Sequence, residues 1–423
     1  METIKKRIQF YIEEHKRELL KLCCDLVKAK GENPPGDVSE STQVIQSFLK
    51  DNGLQFKQLE PSPGHINTLV SIGGKGKNIV LCGHIDTVPA GDSSKWSFPP
   101  YCGLIKNGEI LGRGSTDMKG GIAATLMALA ALQHFEKDFQ GKVTAAFVCD
   151  EEIGGNFGAK WLIENKKING DACLITEPSA YLAYGYTIDF GERGAYWLKF
   201  TALGKPAHGS WPMMGRNAIT TMTNFLSEVR KIEEIGVKTP EEAAELVMNG
   251  KQILAKIARQ NGIPIKSMTR ILDHYTVNVG VIGGGTKTNV VPEKCAAEVD
   301  FRIPIGGSKK DVDTYIQKAK PKGFSYKILQ ESPPSYSNFD DKLTQIVKLS
   351  VKKFFNVTPP ATAVWATSDA WHFRDILGIP TLTFGPGFIE KAHSYDETVS
   401  AIDVINSTKV YANVVDDYLA YST

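Results

Sequence analysis

Little in this chain draws it towards a membrane, a nucleic acid or an oxidising compartment. No apolar run in its 423 residues approaches the roughly 20 residues that a membrane-crossing helix needs. An excess of charge of either sign is missing, since 49 Lys and Arg stand against 47 Asp and Glu for a net charge of +2. Neither nucleic acid nor an anionic membrane surface is therefore an expected partner. Cysteine is sparse, seven in all, without a C-x-x-C spacing. Cys23 and Cys24 are adjacent and the rest scattered, which reads as reduced thiols in a cytoplasmic protein. Cys82 and Cys149 read as small hydrophobes rather than zinc ligands. The opening METIKKRIQFYIEEHKRELLKL reads as a charged amphipathic helix and not as a signal peptide. Internal repeats and low-complexity segments are absent as well.

Hydrophobic residues make up 42% and charged residues 23% of the chain, the balance of a globular protein. Its length exceeds what one core comfortably absorbs, so two domains are expected. Leu19, Leu22 and Leu26 mark the core face of a first helix. Strand-like runs follow at 78–82, 143–149 and 172–175, with Ile122, Leu126 and Leu129 spacing a helix between two of them. That alternation predicts an α/β fold with a mostly parallel sheet and helices on both faces. Near residue 190 the pattern changes. Alternating strands at 195–203, 275–283, 295–303 and 324–329, with helices at 216–234 and 311–320, give a β-α-β-β-α-β order, the ferredoxin-like arrangement. The first pattern resumes from 332, with a helix at 341–355 and a strand at 379–384. The expected organisation is thus 1–187 and 332–423 as one domain, with 188–331 inserted into it. A helical insertion is expected over 232–274, opened by a capping box at Thr239-Pro240-Glu241-Glu242.

Five segments carry the chemistry: LCGHIDTVPAGD (81–92), GRGSTDMKGG (112–121), FVCDEEIGG (147–155), LITEPS (174–179) and FGPGFIEKAHSYDE (384–397). Four of them follow apolar runs, so their polar clusters fall at strand C-terminal ends, the edge where open α/β sheets build sites. His84, Asp117, Glu151, Glu152, Glu177 and His393 together supply ligands for two divalent metals and one spare carboxylate as general base. Asp86 has the spacing at which a carboxylate supports a metal-bound imidazole at His84. Asp117, in a glycine-rich turn, can bridge two ions with one oxygen each. In Asp150-Glu151-Glu152 neighbouring side chains point in opposite directions, leaving one glutamate for metal and one as base. An H-x-D pair or a D-E-E run alone is weak, since most are solvated surface charge. His15, His65, His134 and His274 carry such bland readings. The signal is the ordered conjunction of all five segments.

With those motifs, nearly the whole chain resembles the co-catalytic zinc amidohydrolases and exopeptidases that include acetylornithine deacetylase, succinyl-diaminopimelate desuccinylase, aminoacylase and carboxypeptidase G. The resemblance implies one ion on His84 and Glu177, a second on Glu152 and His393, and Asp117 bridging. It makes Glu151 the base acting on a metal-bridging water and places a cis peptide at Asp117–Met118. The ions would be zinc, with cobalt and manganese as alternatives. It also makes the inserted domain a lid through which a homodimer forms. His208, in GKPAHGSWP, would reach the partner subunit's site and stabilise the oxyanion, and Asn289 and Arg302 would contact the substrate carboxylate. Several relatives carry arginine where Trp371 follows Ser368-Asp369-Ala370, with His372 and Arg374 as the candidate substitutes here. Glu192 stands where succinyl-cleaving enzymes have arginine. The implied reaction is hydrolysis of the amide bond of an N-acyl amino acid. The alternatives are a metallo-dipeptidase or carboxypeptidase-type exopeptidase, and a non-catalytic binding relative. An intact Glu151 argues against the last.

Overall fold

A computed structural model of the protein describes residues 4–135, 141–321, 324–338 and 342–420. The chain forms two compact units. One comprises Met1–Phe190, Ser337–Thr362 and Ser368–Thr423, and the other Gly191–Tyr336 and Ala363–Thr367.

At the heart of the first unit four strands run parallel, in the order Lys142–Val148, Asn78–His84, Ala172–Ile175, Thr381–Thr383. The strand Asn78–His84 is buried at every position, as a parallel strand covered on both faces must be. Antiparallel strands His65–Gly73 and Phe56–Ser62 extend one side, and Ile188–Glu192 joins Thr381–Thr383 on the other. The helix Gly120–His134 is buried from Gly120 through Leu132. It is apolar all round because sheet and helices enclose it. A Cβ on Gly121 would stand 2.0 Å from the Thr176 carbonyl oxygen, so only glycine lets this helix begin against the loop that carries Glu177.

Topology places the site. From Asn78–His84 the chain passes to Lys142–Val148 on one side, then crosses to Ala172–Ile175 on the other. The sheet therefore switches direction at the strand that ends in His84, and the crevice beyond such a point is where α/β sheets bind ligands.

The second unit is a four-stranded antiparallel sheet in the order Thr276–Gly284, Lys294–Ile303, Gly194–Leu203, Phe324–Ser332. The helices Ala218–Val229 and Lys309–Ala319 complete the ferredoxin-like order. Phe200, Phe225, Phe301 and Phe324 are buried together in its core. The helical stretch after it differs in detail from expectation. Its first turn, Glu241–Ala243, is a short 3-10 helix preceded by Pro240, with no side-chain cap from Thr239. The main helix Ala244–Gln260 follows with Ala243 at its N-cap, again without a side-chain cap. The three-residue turn interposed between Pro240 and this helix moves the start beyond the reach of the Thr239 hydroxyl.

Candidate metal centre

His84 is the last residue of its strand, and its ring is 1% exposed. Nδ1 lies 3.0 Å from the Asp86 carbonyl oxygen and so donates to it. Nε2 then presents its lone pair to Asp117 Oδ1, 3.0 Å away. Two acceptors at that separation repel unless a proton or a cation joins them, and the spacing suits two ligands of one ion. Burial draws the His84 pKa down, but the Asp117 and Asp86 carboxylates outweigh it and raise it well above the ordinary value.

Asp117 breaks from helical geometry inside the turn Ser115–Lys119, and the Asp117–Met118 peptide is cis, as the resemblance implies. Its second oxygen, Oδ2, stands 3.3 Å from His393 Nε2. The same His393 atom lies 3.0 Å from Glu152 Oε2. Glu152 Oε1 accepts the Val88 amide at 3.0 Å. Ligand atoms of His84, Asp117 and Glu152 all fall within 4.8 Å of one another. Asp117 thus turns one oxygen to each of two imidazoles. Although burial opposes it, their hydrogen bonds hold its pKa far below the usual carboxylate range. Hydrogen bonding to the Asp117 and Glu152 carboxylates pushes His393 up to about 10. Unlike His84, the His393 side chain is 53% exposed.

Glu151 and Glu152 follow the central strand Lys142–Val148. Burial raises the pKa of both, and for Glu151 the nearby Glu177 carboxylate adds to it. Glu177 follows the strand Ala172–Ile175, on the other side of the strand that ends in His84. This crowding of acids at one edge is electrostatically unfavourable alone and is what a divalent cation offsets.

Asp86 meets His84 through its backbone as well as its carboxylate. The imidazole of His84 bonds to the Asp86 backbone carbonyl, while the carboxylate oxygen Oδ1 is 3.6 Å from Nδ1. The carboxylate also accepts the backbone amides of Glu151 and Glu152, each at 3.3 Å, and Asn33 Nδ2 at 2.9 Å. Asp86 therefore ties the histidine turn to the glutamate turn. Sequence reasoning missed three supporting residues. Asn33 links Asp86 to Asp150. Glu397 accepts the amides of Thr116 at 2.9 Å and Asp117 at 3.1 Å. Arg113 holds Glu397 with a buried contact of 2.6 Å. Burial lifts the Glu397 pKa to about 7 despite Arg113.

The remaining candidates lie elsewhere. Arg374 is buried, and its Nε donates to the Thr381 carbonyl at 3.1 Å, so that group is engaged inside the first unit. His372 is buried against Asp369. In the second unit, His208 is exposed and its Nδ1 accepts from Ser210 Oγ at 2.7 Å. Asn289 is exposed, and Arg302 donates to Asp300 at 3.0 Å and to Thr367 at 3.2 Å. Glu192 is buried, 2% exposed.

Comparison with known proteins adds lineage to this geometry. The profile of peptidase family M20/M25/M40 matches residues 80–417. A probable succinyl-diaminopimelate desuccinylase of Staphylococcus epidermidis is 27% identical over 413 residues, covering 95% of this chain and 98% of the relative. The succinyl-diaminopimelate desuccinylase of Rhodospirillum centenum is 26% identical over 409 residues, covering 94% and 97%. Among solved structures, an M20 family metallo-carboxypeptidase from Sulfolobus solfataricus has a TM-score of 0.82 at 19% identity, covering 95% of this chain and 99% of that one. A di-peptidase from Saccharomyces cerevisiae has a TM-score of 0.79 at 15% identity, covering 98% of each. These two likenesses speak to the fold.

Proposed function

The chain belongs to peptidase family M20/M25/M40, and from that premise we propose a two-metal hydrolase that cleaves the amide bond of N-acyl amino acids. The observation that carries this reading is the Asp117 carboxylate, whose two oxygens face the separate imidazoles of His84 and His393 at 3.0 and 3.3 Å. We assign one ion to His84 and Glu177 and the other to Glu152 and His393, with Asp117 shared. All five are nitrogen or oxygen donors, which suits zinc and also cobalt or manganese. When bound, the cations would polarise the scissile carbonyl and acidify a water.

The protein's own groups do the rest. Glu152 is engaged with the Val88 amide and His393, so Glu151 is the carboxylate assigned to proton transfer. Glu151 takes a proton from the attacking water and delivers it to the leaving amine as the C–N bond breaks. Asp86 steadies both glutamates through their amides. We further assign oxyanion stabilisation to His208, in a homodimer formed through the ferredoxin-like unit, and substrate-carboxylate contacts to Asn289 and Arg302. A cytoplasmic location accords with seven unpaired cysteines. Among the described residues no helix is long and apolar enough to cross a membrane.

Two relatives are named as desuccinylases, yet two positions point away from succinyl groups here. Trp371 stands where the resemblance implies an arginine, and Glu192 is a buried acid of the second unit, so a second substrate carboxylate near either would meet no cation from that position and repulsion from Glu192. Hydrolysis of N-acetyl amino acids, N-succinyl amino acids and dipeptides, each with zinc, cobalt and manganese, tests the reading. The N-acetyl series should exceed the N-succinyl series in kcat/KM by roughly tenfold, the ratio that corresponds to about 1.4 kcal/mol. Glu192→Arg should narrow that gap. Preference for dipeptides would replace the deacylase reading with the peptidase one, and no turnover on any of the three would leave only a binding relative.

The assignment of His208 has its own test. Inactive His208→Ala and inactive Glu151→Gln proteins, mixed under conditions of shown subunit exchange, should recover partial activity, because one mixed site then holds both intact groups. Exchange without recovery would place His208 outside the partner's chemistry.

A further inference from the structure

Behind the glutamate turn lies a second ionisable pair that the mechanism above does not use. Asp369 and His372 flank the start of the helical turn His372–Leu377, and His372 N donates to the Asp369 carbonyl at 3.1 Å. Their side chains meet with His372 Nε2 3.3 Å from Asp369 Oδ1, and both are buried. The residues beside them in sequence, Ala370 and Phe373, belong to the apolar cluster that also holds Val148, Ala159, Cys82 and Cys173. A polar pair in such surroundings costs stability that a well-packed apolar pair would not. Packing alone therefore gives no reason for it.

What the pair touches gives one. Gly155 closes the turn that carries both glutamates: its amide donates to the Asp150 carbonyl at 2.6 Å, and Gly154 donates to the Glu151 carbonyl at 2.8 Å. A Cβ on Gly155 would stand 2.7 Å from Asp369 Oδ1 and 2.9 Å from His372 Nε2. The pair thus leaves no room for a side chain on the backbone four residues beyond Glu151. Asp369 is also among the charges that act on the Glu151 carboxyl. Finally, Asp369 Oδ2 and His372 Nδ1 are buried without a hydrogen-bond partner among the described residues. Buried polar atoms seldom lack one, so the pair is not held here by its own hydrogen bonding alone.

We propose that Asp369 and His372 are positioning residues for Glu151, bracing the Gly154–Gly155 turn and so fixing the angle at which the glutamate meets water and substrate. The inference rests on the reading of Glu151 as the base. On one face Asp86 holds the turn by the Glu151 and Glu152 amides, and on the other the Asp369–His372 pair sets its closing glycine. Neither residue contacts the reacting atoms.

Four variants of the metal-loaded enzyme test this, with kcat, KM, bound metal and thermal stability measured on each. His372→Leu removes the ring's contact with Asp369 and should lower kcat on the order of 10²-fold, the effect of misplacing a reacting group by about 1 Å. KM and metal content should hold. His372→Gln keeps a nitrogen donor that reaches Asp369 and should restore most of the loss. Gly155→Ala, which removes no buried polar group, should show the same fall in kcat at constant KM. Glu151→Gln serves as the reference. If it is inactive while His372→Leu and Gly155→Ala keep kcat, the bracing role is overturned and the base assignment stands. Equal losses in His372→Leu and His372→Gln, or losses that follow metal content, also overturn it. A Glu151→Gln protein that turns over at the wild-type rate removes the base reading on which the proposal rests.

Discussion

Glu151→Gln is expected to retain its metal and to lose turnover by about 10²–10⁴-fold, the contribution of a placed general base. The expectation follows from how the two adjacent glutamates are used. Glu152 has one oxygen on the Val88 amide and the other facing His393, which leaves Glu151 as the carboxylate assigned to proton transfer. Glu151 shares the same backbone support from Asp86, and its carboxyl is pressed towards the protonated form by burial and by Glu177. Glutamine preserves size and hydrogen bonding but cannot carry that proton. Metal analysis of the purified variant together with single-turnover kinetics decides the matter. Unchanged metal with turnover within tenfold of wild type would move the base elsewhere.

Asp117→Ala should empty both metal positions together. Its two oxygens are divided between His84 and His393, so each position loses a ligand and the negative charge that joins them. His84→Ala should chiefly weaken one position. Glu397→Gln is a useful scale between them, because Glu397 touches no ligand atom yet fixes the Thr116 and Asp117 amides. Supporting groups of this kind typically contribute about 10–100-fold in metal affinity, and Asp117→Ala should exceed that at both positions. Metal titration by calorimetry on the three variants gives the order. An Asp117→Ala protein that still binds two equivalents would refute the shared-ligand assignment.

The parts of the site that could be read from sequence are those with local signals. Apolar runs announced the strands that end at His84, Val148 and Ile175, and polar clusters directly after them announced His84, Glu151, Glu152 and Glu177. Asn33 had no such signal, and it meets Asp86 across 53 residues. Arg113 and Glu397 lie inside two of the five segments, but nothing local shows that they pair across 284 residues. The spacing of His84 and Asp86 was legible, but it cannot tell whether the carboxylate or its own carbonyl takes the ring hydrogen. The α-β alternation was legible at the sheet's centre but not at its edge. The hairpin formed by Phe56–Ser62 and His65–Gly73 is punctuated by Pro61, Pro63 and Gly64, which break its alternation. The helix Ala401–Ala420 buries Ser407, Thr408, Asn413 and Asp416, and so many polar positions on its inner face obscure its period.

The unequal exposure of the two imidazoles gives the proposed centre a sealed side and an open one. His84 is enclosed at the end of a buried strand, whereas His393 comes from a loop and is half exposed. Escape of an ion requires water to replace its ligands in turn, and water reaches the His393 side first. The two ions would then differ in residence time: the outer one exchanges with the surroundings, while the inner one persists. At limiting cation the enzyme would settle into a singly loaded form, and its activity would follow the supply of the second ion rather than the first.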